Sequence, residues 1–277
     1  MKLPELQAKY VWAIVLIGYL IPAFIPLGMS PVISPATQSI YDTIQSLPPG
    51  SIVMCGGGGV FAFDLESSAG LIAALQQMSK LDVKVVFYPM WIETMQFSKY
   101  CVDSARVDEK FGGPWKYGTD YVILPYIPGN EVGLVSFLND VKKTVSTDYA
   151  GTPLTQLPIM AGLNSYKDIT LWICAQWDGV TIIRYVIGEY NIKVLWFAQS
   201  SAYSAFGSYM QVYPGKLFIT NGALGGAQYE KLNGIKGLGH AALDSNVVFT
   251  LLFIGFLALG NLTMLYGEKN GNKKVKT

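Results

Sequence analysis

The chain has 277 residues, of which 51% are hydrophobic and 14% charged, and its formal net charge is +1. Ordinary soluble proteins carry roughly 25% charged residues, so part of this sequence is built for surroundings other than water. Its lysines and arginines form no basic stripe with interleaved aromatics. That excludes a general nucleic-acid surface, where neutralising phosphate dominates affinity.

Residues 1–10, with Lys2 and Lys9, are expected to be a short cytoplasmic N-terminus. Residues 11–29 read VWAIVLIGYLIPAFIPLGM, without a charged side chain. About 20 such residues cross a bilayer core, so a first transmembrane helix is expected here, loosened by Pro22 and Pro26. A cleaved signal peptide is the alternative. The apolar stretch is long for one, and no Ala-x-Ala site follows.

Residues 30–246 are expected to form an extracytoplasmic domain. A short helix, 36–46, stops at Leu47-Pro48-Pro49-Gly50. Strand-like and helix-like runs then alternate: strand 51–55, helix 66–80, strand 83–88, strand 121–124, and a helix from an Asn130 cap to about Thr144. Strand 169–177, helix 180–190 and strand 193–198 follow, with more helix to about Tyr229. Strands that are apolar on both faces and alternate with helices imply a doubly wound, mostly parallel α/β sheet of Rossmann-like type. Two insertions, 89–119 and 145–168, are read as long functional or interaction loops.

Ligands of such sheets sit beyond the carboxyl ends of the strands. The candidate ligand rim is therefore Gly56, Gly57, Gly58 and Gly59, with Tyr126–Gly129, Asp178 beside Trp177, and Gln199–Ser201. The glycine run sits where a phosphate-binding turn sits. It lacks the Gly-Lys-Ser/Thr ending of a Walker A loop, and Phe61 stands where a dinucleotide fingerprint needs a small residue. Asp64 and Glu66 would repel an anion at the helix start, so a structural turn is the stronger reading.

No catalytic set emerges. Cys55 ends a strand beside glycines, but His240 is the only histidine and lies far along the chain. Three cysteines allow at most one disulfide and give no metal spacing; neither cofactor nor metal is expected. Asp120, Asp148, Asp178 and Glu230 near element ends read as caps and salt bridges rather than an acid–base pair.

The stretch 222–232 (GALGGAQYEKL) is rich in small residues. A helix–sheet contact, a bend before the membrane, or an interface between copies through Gly222, Gly225, Gly226, Tyr229 and Glu230 would each use them. Residues 247–266 (VVFTLLFIGFLALGNLTMLY) are again uncharged and read as a second transmembrane helix. Residues 267–277 are a tail with Lys269, Lys273, Lys274 and Lys276. Basic flanks at both ends place both termini in the cytoplasm.

Four blocks, Tyr117-Gly118-Thr119-Asp120-Tyr121-Val122, Pro128-Gly129, Asp148-Tyr149-Ala150-Gly151-Thr152-Pro153-Leu154 and Gly226-Ala227-Gln228-Tyr229-Glu230, resemble those of an uncharacterised group of prokaryotic membrane-anchored proteins. The resemblance implies architecture only. The expected function is a membrane-anchored structural or interaction subunit that meets the lipid bilayer and either itself or other membrane proteins. An enzyme or small-ligand receptor using the glycine loop is the alternative. Abundant tyrosine and tryptophan, 17 and 6, favour the first, since interfaces are enriched in both.

Overall fold

A computed structural model describes residues 8–25, 27–57, 59–176 and 179–274. The chain forms two compact units, Ser30–Gly239 and the pairing of Met1–Met29 with His240–Thr277.

The first unit is an α/β domain around six parallel strands: β1 (Ser51–Gly57), β2 (Val83–Pro89), β3 (Tyr121–Ile123), β4 (Leu171–Gln176), β5 (Val194–Ala198) and β6 (Leu217–Asn221). Their order is β3-β2-β1-β4-β5-β6, all parallel. The winding direction reverses between β1 and β4, as in a Rossmann-like sheet.

Side chains alternate along each strand, so each strand feeds two cores. Val53 and Cys55 join Leu71, Leu75, Phe87 and Phe97 on one face. Met54 joins Tyr88, Phe137, Trp172 and Trp196 on the other. The first face is covered by α2 (Pro35–Gln45), α3 (Phe61–Met78), α4 (Ile92–Ala105) and α9 (Gly222–Leu232). Over the second lie α5 (Glu131–Asn139), α6 (Val141–Thr144), a π-helix (Ile182–Ile187), α7 (Ser200–Phe206) and α8 (Tyr209–Val212). The indoles of Trp172 and Trp196 are satisfied: Trp172 Nε1 donates to the Gly56 carbonyl (3.0 Å) and Trp196 Nε1 to that of Gln176 (2.8 Å).

Several expectations need correction. The chain does not stay helical to Tyr229: β6 interrupts it, after the Tyr213-Pro214-Gly215 turn. The insertion 89–119 contains α4, whose Phe97, Cys101 and Val102 are core. The helix expected to run from Asn130 to Thr144 breaks at Asp140, which caps α6 through the Lys143 amide (3.1 Å). Within the expected helix 180–190, Ile182–Ile187 winds as a π-helix. The insertion 145–168 is a series of short 3-10 turns whose Leu154, Ile159, Met160 and Leu163 are buried. It covers edge strand β3, with the Tyr149 amide donating to the Ile123 carbonyl (3.1 Å). Covering an edge strand removes a template for aggregation. No disulfide forms, since all three cysteines are free and buried.

The second unit pairs α1 (Ala8–Phe24) with α10 (Leu238–Lys274), whose first two residues belong to the α/β unit. The first apolar helix thus ends at Phe24, short of the expected Met29, while the second starts nine residues before the expected Val247. Residues 238–264 of α10 are long and apolar enough to cross a membrane; α1 offers a shorter apolar stretch, 8–22. The helices run antiparallel. A Cβ on Gly18 would meet Leu252 at 2.5 Å, and Tyr19 packs edge-on against Phe249 (6.4 Å between centroids). Beyond α1, the amides of Leu27, Gly28 and Met29 all donate to the Asp244 carboxylate (2.8, 3.1 and 3.2 Å).

Burial holds the thiols of Cys55, Cys101 and Cys174 and the phenols of Tyr88, Tyr117, Tyr121 and Tyr229 above their ordinary ranges, near 9.0 and 10.0. Each group keeps its proton in the folded state after the unfolded chain has lost it, so unfolding releases protons in alkali. Stability should therefore be complete below about pH 9 and fall as pH rises beyond it. Thermal melts of the detergent-solubilised protein from pH 7 to 11 check this; a midpoint constant to pH 11 would contradict it.

Candidate functional site

The carboxyl edge of the sheet, at the reversal between β1 and β4, is where this fold places a ligand. β1 runs two residues further than expected, so Gly56 and Gly57 are strand residues paired with Tyr88 and Pro89. Gly57 has φ +150°, and a Cβ there would collide with the Gln176 side chain. At Gly56 the Tyr88 carbonyl lies 2.5 Å from an added Cβ, and at Gly59 the Phe97 ring and the Ala175 carbonyl lie at 2.7 and 2.8 Å. These glycines allow close approach within the chain. Gly58 and Asp178, like Trp177, lie outside the described residues.

α3 begins at Phe61, five residues earlier than the apolar pattern suggested, which puts Asp64 in its first turn. Asp64 is 1% exposed. Its Oδ2 accepts the Val60 amide (2.9 Å) and its Oδ1 accepts Gln199 Nε2 (3.1 Å). The chain thus places its own carboxylate at the positive end of the α3 dipole. A phosphate at the same end would meet that charge with little water to screen it. Gln199, expected on the rim, is there but buried against Asp64. Glu66 is turned sideways, accepting Ser200 Oγ (2.7 Å) and the Ala223 amide (3.1 Å).

The other candidates are structural. Asp148 accepts Tyr117 OH (2.7 Å) and the amides of Ala150 (2.9 Å) and Thr152 (2.7 Å), closing the turn of its block. Asp120 accepts the Lys116 amide (2.8 Å). Burial keeps the Cys55 thiol protonated, unlike the thiolate a nucleophile needs. Among the described residues, no group of three or more His, Cys, Asp and Glu could hold a metal ion. Gly222, Gly225, Gly226, Tyr229 and Glu230 are all buried inside the α/β unit. The approach their size permits is between α9 and α3, where a Cβ on Gly226 would meet Ala69 Cβ at 2.9 Å. An interface between copies needs another surface.

The sequence reading did not single out the exposed apolar side chains at the starts of α3 and α4. Trp91 and Ile92, at the start of α4, are 57% and 63% exposed, and Phe61 and Leu65 of α3 are also exposed. The two helices touch through Phe61, whose ring lies 5.2 Å from that of Tyr100 and 5.8 Å from that of Phe97. The signal was available: Trp91-Ile92 follows Pro89-Met90, just beyond the end of an apolar strand. The chain has no significant match among protein-family models, curated proteins or solved structures.

Gly57→Ala should lower stability by about 2–4 kcal/mol, since it adds both backbone strain and a collision. The double variant Gly57→Ala/Gln176→Ala relieves the collision alone and should recover part of the loss. Denaturant midpoints of the three proteins check the order.

Proposed function

We propose that the chain is a two-span membrane anchor carrying a Rossmann-like domain on the non-cytoplasmic side, and that this domain is an interaction subunit. The observation that carries the reading is the antiparallel pairing of α1 and α10. Both helices leave large apolar side chains exposed: Trp12, Leu16, Ile17 and Phe24 on one, Leu251, Phe253, Ile254 and Met264 on the other. Water would penalise each by about 1.5–3 kcal/mol relative to burial; hydrocarbon would not. Antiparallel pairing turns the Lys9 end of α1 the same way as the end of α10 that carries Lys269, Lys273 and Lys274. Basic flanks at one end favour a cytoplasmic location for that end. The Asp244 carboxylate, which accepts the amides of Leu27, Gly28 and Met29, then lies toward the opposite end of the helix pair.

Two features favour interaction over dinucleotide chemistry. Asp64, Gln176 and Gln199 fill the described part of the carboxyl edge with the chain's own polar groups. Phe61 and Leu65 at the start of α3, and Trp91 and Ile92 at the start of α4, are exposed apolar side chains, of the aromatic-rich kind that partners bury.

Membrane-impermeant maleimide tests the topology, because the native cysteines are buried. In intact cells Val212→Cys should label, while Lys9→Cys should label only after permeabilisation. Labelling of both from the same side would overturn the two-span reading. A photo-crosslinking residue at position 91 should give an adduct in native membranes and lose it on Ile92→Asp. A detergent-purified monomer without any adduct would remove the interaction reading.

A further inference from the structure

All six strands run parallel, so the segments that follow them all start at one edge of the sheet. Those segments are residues 58–66, 90–94, 124–132, 177–183, 199–204 and 222–226. None of them contains a lysine or arginine, although the chain carries 20. Their charged residues are Asp64, Glu66, Glu93, Glu131 and Asp178. The same segments present large apolar side chains to solvent. Phe61 on α3, Trp91 and Ile92 on α4, Val132 on α5, Val180 after β4 and Leu224 on α9 are all exposed, Val132 by 73%. The segment after β5 is polar instead, with Ser200 and Ser201 exposed.

Two of the carboxylates serve the fold: Asp64 holds Val60 and Gln199, and Glu66 holds Ser200 and Ala223. Glu93 is exposed and follows Trp91-Ile92 in the first turn of α4; Glu131 precedes Val132 in the first turn of α5. At the opposite edge the chain covers an exposed ring with its own cations: Phe111 lies under Arg106 (6.0 Å) and Lys110 (4.9 Å). Among the described residues, the rings of Phe61 and Trp91 have no such cover. The two chain exits of the α/β unit do not run over the carboxyl edge either. They are held on the last turns of α9, where Lys231 Nζ donates to the Pro31 carbonyl (2.9 Å), Gln228 Nε2 to that of Val32 (2.6 Å), and Glu230 accepts the amides of Gly237 (3.0 Å) and Gly239 (2.7 Å).

From this placement we infer that the carboxyl edge binds a basic, apolar polypeptide segment of a partner protein. Its apolar side chains meet Trp91, Ile92 and Val132, and its lysines or arginines meet Glu93, Glu131 and the Trp91 ring. The inference rests on the interaction reading and names the chemistry of the partner. Charge decides between occupants. A second copy docking through the same edge would set carboxylate against carboxylate, and an anionic lipid surface or a nucleotide would add negative charge to negative charge. A cationic segment finds carboxylates and aromatic faces in segments that hold no cation of their own. The apolar side chains supply affinity, while the charges steer the encounter and reject other partners.

The full chain is placed in nanodiscs of neutral phosphatidylcholine with a photo-crosslinking residue at position 91 or 132. Position 212, exposed and just ahead of β6 at the opposite edge, is the control. The probes are two amphipathic helical peptides of about 14 residues with one leucine pattern, the remaining positions being all lysine or all glutamate. At positions 91 and 132 the lysine peptide should give at least about fivefold more adduct than the glutamate peptide, and the excess should shrink as salt rises. Position 212 should show no such preference. Glu93→Lys, at an exposed side chain, should cut the lysine-peptide adduct at position 91 by at least about threefold and raise the glutamate-peptide adduct. Equal adducts with the two peptides at position 91 would overturn the inference. So would a position-91 adduct in native membranes that joins two copies of the chain or joins the chain to lipid. A protein adduct in native membranes without peptide preference removes the basic partner alone, whereas no adduct in either setting removes the interaction reading beneath it.

Discussion

The close approach of α9 to α3 governs the arrangement of the α/β unit, because so many other contacts depend on where it puts α9. Gly226 brings the backbone against Ala69, while Gly70 of α3 leaves room for the Phe197 ring. With the helices at that distance, Tyr229 OH reaches Gln77, whose amide in turn donates to the Tyr41 carbonyl (3.2 Å) and to Gln45 (3.1 Å). Three helices are thereby tied through one buried glutamine, and no polar atom of that side chain is left to pay a desolvation penalty. The same placement sets Gln228, Glu230 and Lys231 at the two chain exits. A larger residue at position 226 would push α9 outward and loosen all of these contacts together.

Among the described residues, the carboxyl edge of the sheet is occupied by the chain's own side chains. Sheet order and loop position follow the Rossmann-like plan, but function depends on the side chains placed there. Here a carboxylate stands at the α3 terminus, and the glycines make room for Gln176, Phe97 and Tyr88. What the edge leaves exposed is apolar and aromatic, at the first turns of α3 and α4. The described part of the carboxyl edge is thus taken up by internal packing, with exposed apolar side chains at the starts of α3 and α4.

The terminal helices follow a different logic. Among the described residues, their contacts include a glycine notch and one aromatic pair, and beyond α1 a carboxylate receives three amides. Small residues at a helix contact and a polar group capturing free backbone donors are common devices where lipid, rather than water, surrounds a helix pair. Both charge-free segments are helical with other bounds than expected, and one of them, within residues 238–264, is long and apolar enough to cross a membrane. α1 ends soon after Pro22, and α10 begins nine residues before the apolar run, at the point where Glu230 accepts the Gly239 amide.

Composition and periodicity alone were enough to determine the class of this protein. Runs such as Val83–Tyr88 and Lys193–Ala198 can only be strands covered on both faces, and their alternation with helices implies a parallel sheet. The departures of the glycine loop from phosphate-binding fingerprints were equally legible, because those fingerprints are local. Strand order, β6 and the burial of α4 were not, since each depends on residues distant in sequence. Phe218 to Asn221 reads as a continuation of helix until β5 offers it a ladder. Nor could the sequence decide what Gly222–Glu230 does: small residues permit close approach but do not name the neighbour. Tertiary structure supplied α3 on one side and the two chain ends on the other, because burial and hydrogen bonding are satisfied by whatever the folded chain brings near.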